Sequence, residues 1–169
     1  LARLAKPALV VAARQILDAT ASLDIGLVVS NAGFGLKGEH ANNDPRAMTD
    51  MLMVNCNTPM LLAHGFIPRL RQRGRGGIIF TSSVEALIGC PFSTAYSASK
   101  CFVNNLGEGL WGELAPEGIK VLTICPGATD TPMLWRGVDD RAAEEASLAA
   151  RMPLGRIGRP DEIARAALF

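Results

Sequence analysis

Three short, nearly all-apolar runs, separated by stretches of helical periodicity, constrain this chain more than any other feature. They are Ile25 to Val29, Gly77 to Thr81 and Ile119 to Cys125. Each breaks off into a polar or glycine-rich tip: Ser30 to Gly35, Thr81 to Glu85, and Cys125 to Thr131. A run this short and without polar alternation suits a strand buried on both faces, as in a parallel sheet covered by helices. The intervening segments supply those helices. Ala8 to Thr20 is rich in helix formers, with apolar residues at Leu9, Ala13, Ile16 and Leu17. Asp44 as N-cap and Pro45 in the first turn open a helix running to about Gln72. Thr58-Pro59 and Pro68 interrupt it, so one long helix with a kink between Asn55 and Pro59 is expected. Ala95 to Leu114 is the next helix, stopped by Pro116 and Gly118, and Pro160-Asp161 opens the last. Asp130 to Met152 reads as a loop and a weak helix. Strand and helix in alternation predict β-α-β crossovers, with chemistry collected at the carboxyl ends of the strands.

The chain has 169 residues, 49% apolar, 20% charged and 5% aromatic, the composition of one soluble globular unit. Its 17 basic and 16 acidic residues leave a formal charge of +1, so no general attraction to nucleic acid or membrane is expected. The densest basic run, Arg69, Arg71, Arg73 and Arg75 ahead of Gly76-Gly77, reads as a solvated helix end. No apolar stretch approaches the roughly 18 residues that span a bilayer, and no signal peptide opens the chain. Cys56, Cys90, Cys101 and Cys125 lie far apart with no zinc-like spacing, so buried reduced thiols, no metal site and a cytoplasmic location are expected. The chain opens on Leu1, and the segment ending at Phe169 has helix-start signals without a stop signal, the ends expected of a fragment.

Gly33-Phe-Gly35-Leu-Lys-Gly38 satisfies G-x-G-x-x-G after a strand, but a dinucleotide loop needs its third glycine at a helix start and an acidic residue about 20 positions on. A polar loop with its own N-cap follows instead, and the later position falls inside a helix. The segment therefore reads as a loop that lets a ligand approach the backbone.

The one tyrosine, Tyr96, lies four positions before Lys100, one of four lysines, so on a helix the two share a face. An ammonium beside a phenol favours the phenolate and can bring its pKa down from about 10, which makes a tyrosine useful as a general acid or base. Ser82 and Ser83 stand at the preceding strand tip, and Ser83 is 13 residues before Tyr96. A loop of that length can fold back so that hydroxyl and phenol meet over a bound carbonyl.

With these motifs the sequence resembles the short-chain dehydrogenase/reductase family. The matching pieces are Asp24 to Gly33, ending in Asn31-Ala32-Gly33; Val54-Asn55; Gly77 to Ser83; Tyr96-Ser-Ala-Ser-Lys100; Val121 to Gly127 with Thr131; and Pro153 to Ala164. They cover nearly the whole chain from Leu4 onward in family order. The resemblance implies a Rossmann-like, doubly wound parallel sheet in three α/β/α layers, truncated at both ends. Residues 1–169 would form a single partial domain whose substrate lid spans about 132–152. The family's phosphate-binding loop would precede Leu4, where Arg3 replaces an acidic residue, and its closing strand would follow Phe169.

The resemblance also implies an oxidoreductase moving a hydride between NAD or NADP and a secondary alcohol or ketone. Tyr96 would be the general acid/base, and Lys100 would lower its pKa and bind the nicotinamide ribose. Ser83 would hold the substrate oxygen, and Asn55 would expose a backbone carbonyl to a relay water. Asn31, Ala32 and Gly33 would lie along the cofactor, with Asn31 tying the strand tip to its neighbour. Pro126 and Gly127 would shape the loop beside the nicotinamide, and Thr129 and Thr131 would reach its carboxamide or a phosphate. A homodimer or homotetramer acting on a small alcohol or carbonyl compound is implied, with His64 and Trp111 at the surface or an interface; Met133, Leu134 and Trp135 in the lid, beside the charged Arg136, suggest a hydrophobic compound. Three alternatives remain open at this point: a silent Rossmann-like binding or scaffold protein, a fragment inactive by itself, and an epimerase or dehydratase using the same Tyr-Lys pair.

Overall fold

A computed structural model of the chain describes residues 7–168, with side chains from residue 12 onward. The expected family landmarks at Arg3 and Leu4, the Leu9 side chain and Phe169 lie outside the described residues. The elements run α1 (Pro7–Ala19), β1 (Leu27–Ser30), α2 (Pro45–Leu52), a π-helical turn (Met53–Asn57), α3 (Thr58–Arg73), β2 (Gly76–Thr81), α4 (Thr94–Leu114), β3 (Ile119–Ile124), α5 (Arg141–Arg151) and α6 (Pro160–Ala167). The three strands form a parallel sheet in the order β1-β2-β3, with Val28, Ile78 and Val121 in register. This is a Rossmann-like α/β arrangement, built as the alternation of apolar runs and helices requires.

The core lies between one face of the sheet and helices α3 and α4. Val28, Ile78, Phe80 and Val121 project from the strands onto Ala63, Phe66 and Leu70 of α3 and Val103 and Leu114 of α4. The other face corrects the expectation of strands buried on both sides. Leu27 and Val29 are 55% and 56% exposed and Leu122 is 40% exposed, so the apolar runs are two-sided in composition while their burial alternates. Among the described residues nothing covers that face of β1 closely enough to bury it.

The long-helix expectation holds with one refinement. Asp44 accepts the backbone N–H of Arg46 at 2.9 Å as N-cap, and Pro45 occupies the first turn. At the expected kink the helix widens into the π turn of Met53–Asn57, then resumes at Thr58 with Pro59 in a first-turn position that tolerates a missing N–H. Pro68 does not end α3; it sits on the exposed side, where water can reach the carbonyl it leaves unpaired. Gly74, at φ 70°, closes the helix in the left-handed cap that glycine adopts without strain.

The arginines at the end of α3 are solvated in part, as expected, with Arg71 and Arg75 exposed, but three of the four are also paired. Arg69 donates to the carbonyls of Thr20 and Leu23, Arg73 pairs with Asp24, and Arg71 forms a two-pronged pair with Glu117 at 2.7 and 2.6 Å. The α3 end is thus stitched both to the α1–β1 connection and to the turn before β3. All four cysteines are free, but none is fully buried, and Cys101 is exposed. No helix among the described residues is long and apolar enough to cross a membrane.

Candidate active site

The carboxyl end of β2 delivers Ser82 and Ser83. Ser82 donates its backbone N–H to Ile124 O at 2.8 Å, and Val84 donates to Pro126 O at 3.0 Å, which fixes the serine tip beside the end of β3. The Ser82 hydroxyl donates to Lys100 O at 3.0 Å, tying the same tip to α4. Ser83 then caps a short 3-10 turn, Val84–Ala86, its hydroxyl accepting Glu85 N–H at 3.2 Å. Helix α4 begins near this tip, and its first turns carry Tyr96 and Lys100 toward Ser83.

Lys100 is only 4% exposed. Its Nζ donates to Thr81 O at 2.9 Å and stands 5.7 Å from the centre of the Tyr96 ring. Burial pulls the ammonium below its ordinary pKa, opposed by Cys56 and Cys125, which face it from the π turn and the end of β3. Burial pushes the Tyr96 phenol above its ordinary value; the nearby Ser83 hydroxyl works the other way, and the Glu85 carboxylate adds to the rise. The expected lowering of the phenol by Lys100 is therefore not met in this arrangement. The ammonium is turned to the Thr81 carbonyl, and desolvation outweighs it.

Asn55 sits inside the π turn and is 2% exposed. Its amide side chain accepts Phe34 N–H at 3.1 Å, donates to Phe34 O at 2.9 Å and donates to Ser99 Oγ at 3.0 Å. Ser99 in turn donates to Tyr96 O at 2.7 Å. The loop after β1, the long helix and α4 are thereby locked together around Tyr96 and Lys100. The π turn also inserts a residue into the helical ladder, which leaves a carbonyl without its usual partner.

The glycines after β1 line this junction instead of opening a helix. A Cβ on Gly33 would lie 3.0 Å from Asn55 Oδ1 and 3.3 Å from Lys100 Nζ, and one on Gly35 would lie 3.2 Å from the Tyr96 ring. After Gly38, at φ 110°, comes only the short 3-10 turn His40–Asn42, so no helix N-terminus awaits a phosphate there. Asn31 and Ala32 are exposed at the strand tip, and Asn31 makes no side-chain hydrogen bond among the described residues. The expected tie from Asn31 to a neighbouring strand is absent in this part of the molecule. At the β3 tip Thr129 donates to Gly127 O at 3.0 Å and forms a parallel bridge with Gly158, while Thr131 donates to Thr129 O at 3.3 Å.

The structure thus brings Asn55, Ser83, Tyr96 and Lys100 to one place, with Gly33 against them. The expected weak helix after residue 130 is an eleven-residue α5, capped by Asp140. Ahead of it, Asp130 accepts both Trp135 Nε1–H at 2.6 Å and an Arg141 N–H at 2.9 Å, with Arg141 stacked 4.3 Å over the Trp135 ring. Sequence reasoning missed Ser99, Phe34 and Glu85. Ser99 lay in plain view inside Tyr96-Ser-Ala-Ser-Lys100, and Glu85 was the acidic residue two places after Ser83. Phe34 acts through its backbone and leaves no side-chain signal. No group of three or more potential metal-ligating His, Cys, Asp or Glu side chains occurs among the described residues.

Comparison with known proteins points the same way. A family model described as enoyl-(acyl carrier protein) reductase matches residues 7–169. A 3alpha-hydroxysteroid dehydrogenase of Mediterraneibacter gnavus is 32% identical over 148 residues, spanning 86% of this chain and 57% of that protein. A gluconate 5-dehydrogenase from Burkholderia cenocepacia, solved in complex with NADP and tartrate, superposes with a TM-score of 0.84 at 30% identity, covering 93% of this chain and 62% of that one. A 3-ketoacyl-(acyl-carrier-protein) reductase from Brucella melitensis, complexed with NADH, superposes with a TM-score of 0.81 at 26% identity, covering 90% and 64%. The chain spans less than two thirds of the length of each of these relatives.

Proposed function

Because the chain belongs to the short-chain dehydrogenase/reductase family, we propose that it forms the catalytic part of an NAD(P)-dependent oxidoreductase that interconverts a secondary alcohol and a ketone. The observation that carries this reading is the convergence of Ser83, Tyr96 and Lys100 where β2 meets α4, braced by Asn55.

The residues fit a nicotinamide cofactor. Of the three N–H bonds on a charged Lys100 Nζ, one has a protein acceptor, Thr81 O, which leaves donors for ribose hydroxyls. Gly33 keeps the space beside Asn55 and Lys100 free of a side chain. Asn31, Ala32 and Gly33 on one side and Pro126, Gly127, Thr129 and Thr131 on the other would flank the nicotinamide half. When bound, the cofactor supplies the hydride acceptor or donor. Every proton is then the business of the chain.

In reduction, Ser83 donates a hydrogen bond to the carbonyl oxygen and Tyr96 delivers its phenolic proton there. In oxidation, Tyr96 accepts the hydroxyl proton. Lys100 binds the nicotinamide ribose beside the phenol, and the carbonyl freed in the π turn at Asn55 holds a water that returns the proton to solvent. Residues 132–152 form the substrate lid, consistent with the Asp130, Trp135 and Arg141 cluster at their start. The single partial domain of residues 1–169, a homodimer or homotetramer with His64 and Trp111 outside the site, and a cytoplasmic location belong to the same reading. His64 is exposed and Trp111 is 58% exposed, which supports a place at the surface or in a contact between copies.

The experiment is Tyr96→Phe in the intact protein, followed by reduced-cofactor absorbance over a panel of secondary alcohols and ketones. Losing a positioned acid/base lowers kcat by about 100-fold or more. An unchanged kcat refutes the assignment.

A further inference from the structure

Glu85 takes no part in the chemistry above, yet it is fixed against the groups that do. Its N–H is held by the Ser83 hydroxyl at 3.2 Å, and its carboxylate Oε2 accepts the hydroxyl proton of Ser93 at 2.6 Å. Ser93 is the N-cap residue of α4, three places before Tyr96, and is 8% exposed. The carboxylate therefore bridges the segment bearing Ser83 and the segment bearing Tyr96. Its second oxygen, Oε1, has no hydrogen-bond partner among the described residues, and no cation pairs with it there. The charged and titratable groups around it are few: Tyr96 and Cys90 face Glu85, Lys100 faces Tyr96 from the same helix, and Cys56 and Cys125 face Lys100.

We propose that Glu85 is a specificity-determining residue of this site, selecting substrates that carry a hydrogen-bond donor, a hydroxyl or an ammonium, beside the reacting carbon and rejecting those with a carboxylate there. The proposal rests on the oxidoreductase reading. A carboxylate oxygen without a partner is costly once water is excluded, so a substrate that brings a donor completes it, whereas an apolar neighbour leaves it unpaired. A substrate carboxylate meets a like charge held in place by Ser93, a fixed repulsive element that suppresses the wrong substrate. The carboxylate's influence on the phenol supports its placement at the reacting end of the site.

The structural alternative is that Glu85 only clamps the serine loop to the start of α4. Glu85→Gln separates the two, because the amide oxygen still accepts from Ser93 while the charge is lost. Two measurements are made on the intact protein and on this variant, with circular dichroism confirming the fold. The first is kcat/KM for three secondary alcohols alike at the reacting carbon: butane-2,3-diol, 1-amino-2-propanol and 3-hydroxybutyrate. The parent favours the diol and the amino alcohol, and the preference for either over 3-hydroxybutyrate falls about tenfold or more in Glu85→Gln. The second is the phenolate absorbance of Tyr96, isolated by subtracting the spectrum of Tyr96→Phe; its midpoint moves to lower pH in Glu85→Gln.

An unchanged preference overturns the proposal whatever the midpoint does, and so does a parent that prefers 3-hydroxybutyrate. Equal losses in all three substrates, reproduced by Ser93→Ala, identify the clamp alone and also overturn it. A parent that turns over no secondary alcohol refutes the oxidoreductase reading itself, an outcome distinct from turnover without discrimination.

Discussion

Replacing Asn55 with alanine tests the junction that holds the site together. The side chain makes three hydrogen bonds, to Phe34 N, Phe34 O and Ser99 Oγ, from a position that is 2% exposed. Taking about 1 kcal/mol net for each bond gives a loss of about 3 kcal/mol, since the groups left behind are part-buried and only partly recovered by water. For a chain of this size each kcal/mol corresponds to about 2–4 °C, so the melting temperature should fall by about 6–12 °C. Circular dichroism melts and urea titrations read the change, with the midpoint moving and the slope unchanged if the unfolded state is unaffected. Ser99→Ala and the double variant complete a cycle in which the two residues are coupled by about 1 kcal/mol. A loss below about 1 kcal/mol in Asn55→Ala, or strict additivity with Ser99→Ala, would refute the claim that this amide braces the junction.

Two further perturbations probe packing and protonation. Gly107 is buried in α4 where a Cβ would overlap the Thr123 hydroxyl of β3; Gly107→Ala should cost about 1–3 kcal/mol in urea titrations by forcing the helix away from the strand. Tyr96 has a folded-state pKa above its ordinary 10.0, chiefly through burial. The unfolded chain then releases this proton first as pH rises, so stability falls from about pH 10 upward until the folded phenol also ionises. Tyr96→Phe removes that decline, and parallel urea midpoints across the alkaline range should diverge there and run parallel below it.

The fold was legible because its strands and helices announce themselves locally. Leu27–Ser30, Gly76–Thr81 and Ile119–Ile124 fall within a residue or two of the apolar runs, and Asp44-Pro45 and Pro160 start helices where capping chemistry places them. Burial of the second sheet face was not legible, because an apolar run has the same letters whether one or both sides are covered. Leu27 and Val29 show this directly. The pairing of the arginine run was not legible for a related reason: charge alone suggests solvent, whereas the partners of Arg69 and Arg71 lie 46 to 49 residues away and that of Arg73 is Asp24. Proline signals located the irregularity in the long helix, but a π turn and a simple kink have the same signal, and the Asn55 contacts to the Phe34 backbone distinguish them only in three dimensions.

The Tyr96 and Lys100 pair shows where spacing stops being sufficient. An i, i+4 offset guarantees a shared helix face, and Lys100 Nζ does lie near the phenol ring, 5.7 Å from its centre. The offset cannot fix the sign of the electrostatic effect, because the burial that brings the groups together also disfavours the charge on each. The buried Lys100 Nζ finds its protein acceptor in the Thr81 carbonyl, at 2.9 Å, supplied by the last residue of β2. That acceptor belongs to the backbone, so no side-chain replacement removes it. Its direction depends on the register of β2 against β3, in which Thr81 pairs with Ile124. A one-residue slip would turn the next carbonyl to the opposite side and leave a buried ammonium without its acceptor. The seating of the Lys100 ammonium beside Tyr96 therefore depends on strand register as much as on the Tyr-x-x-x-Lys spacing.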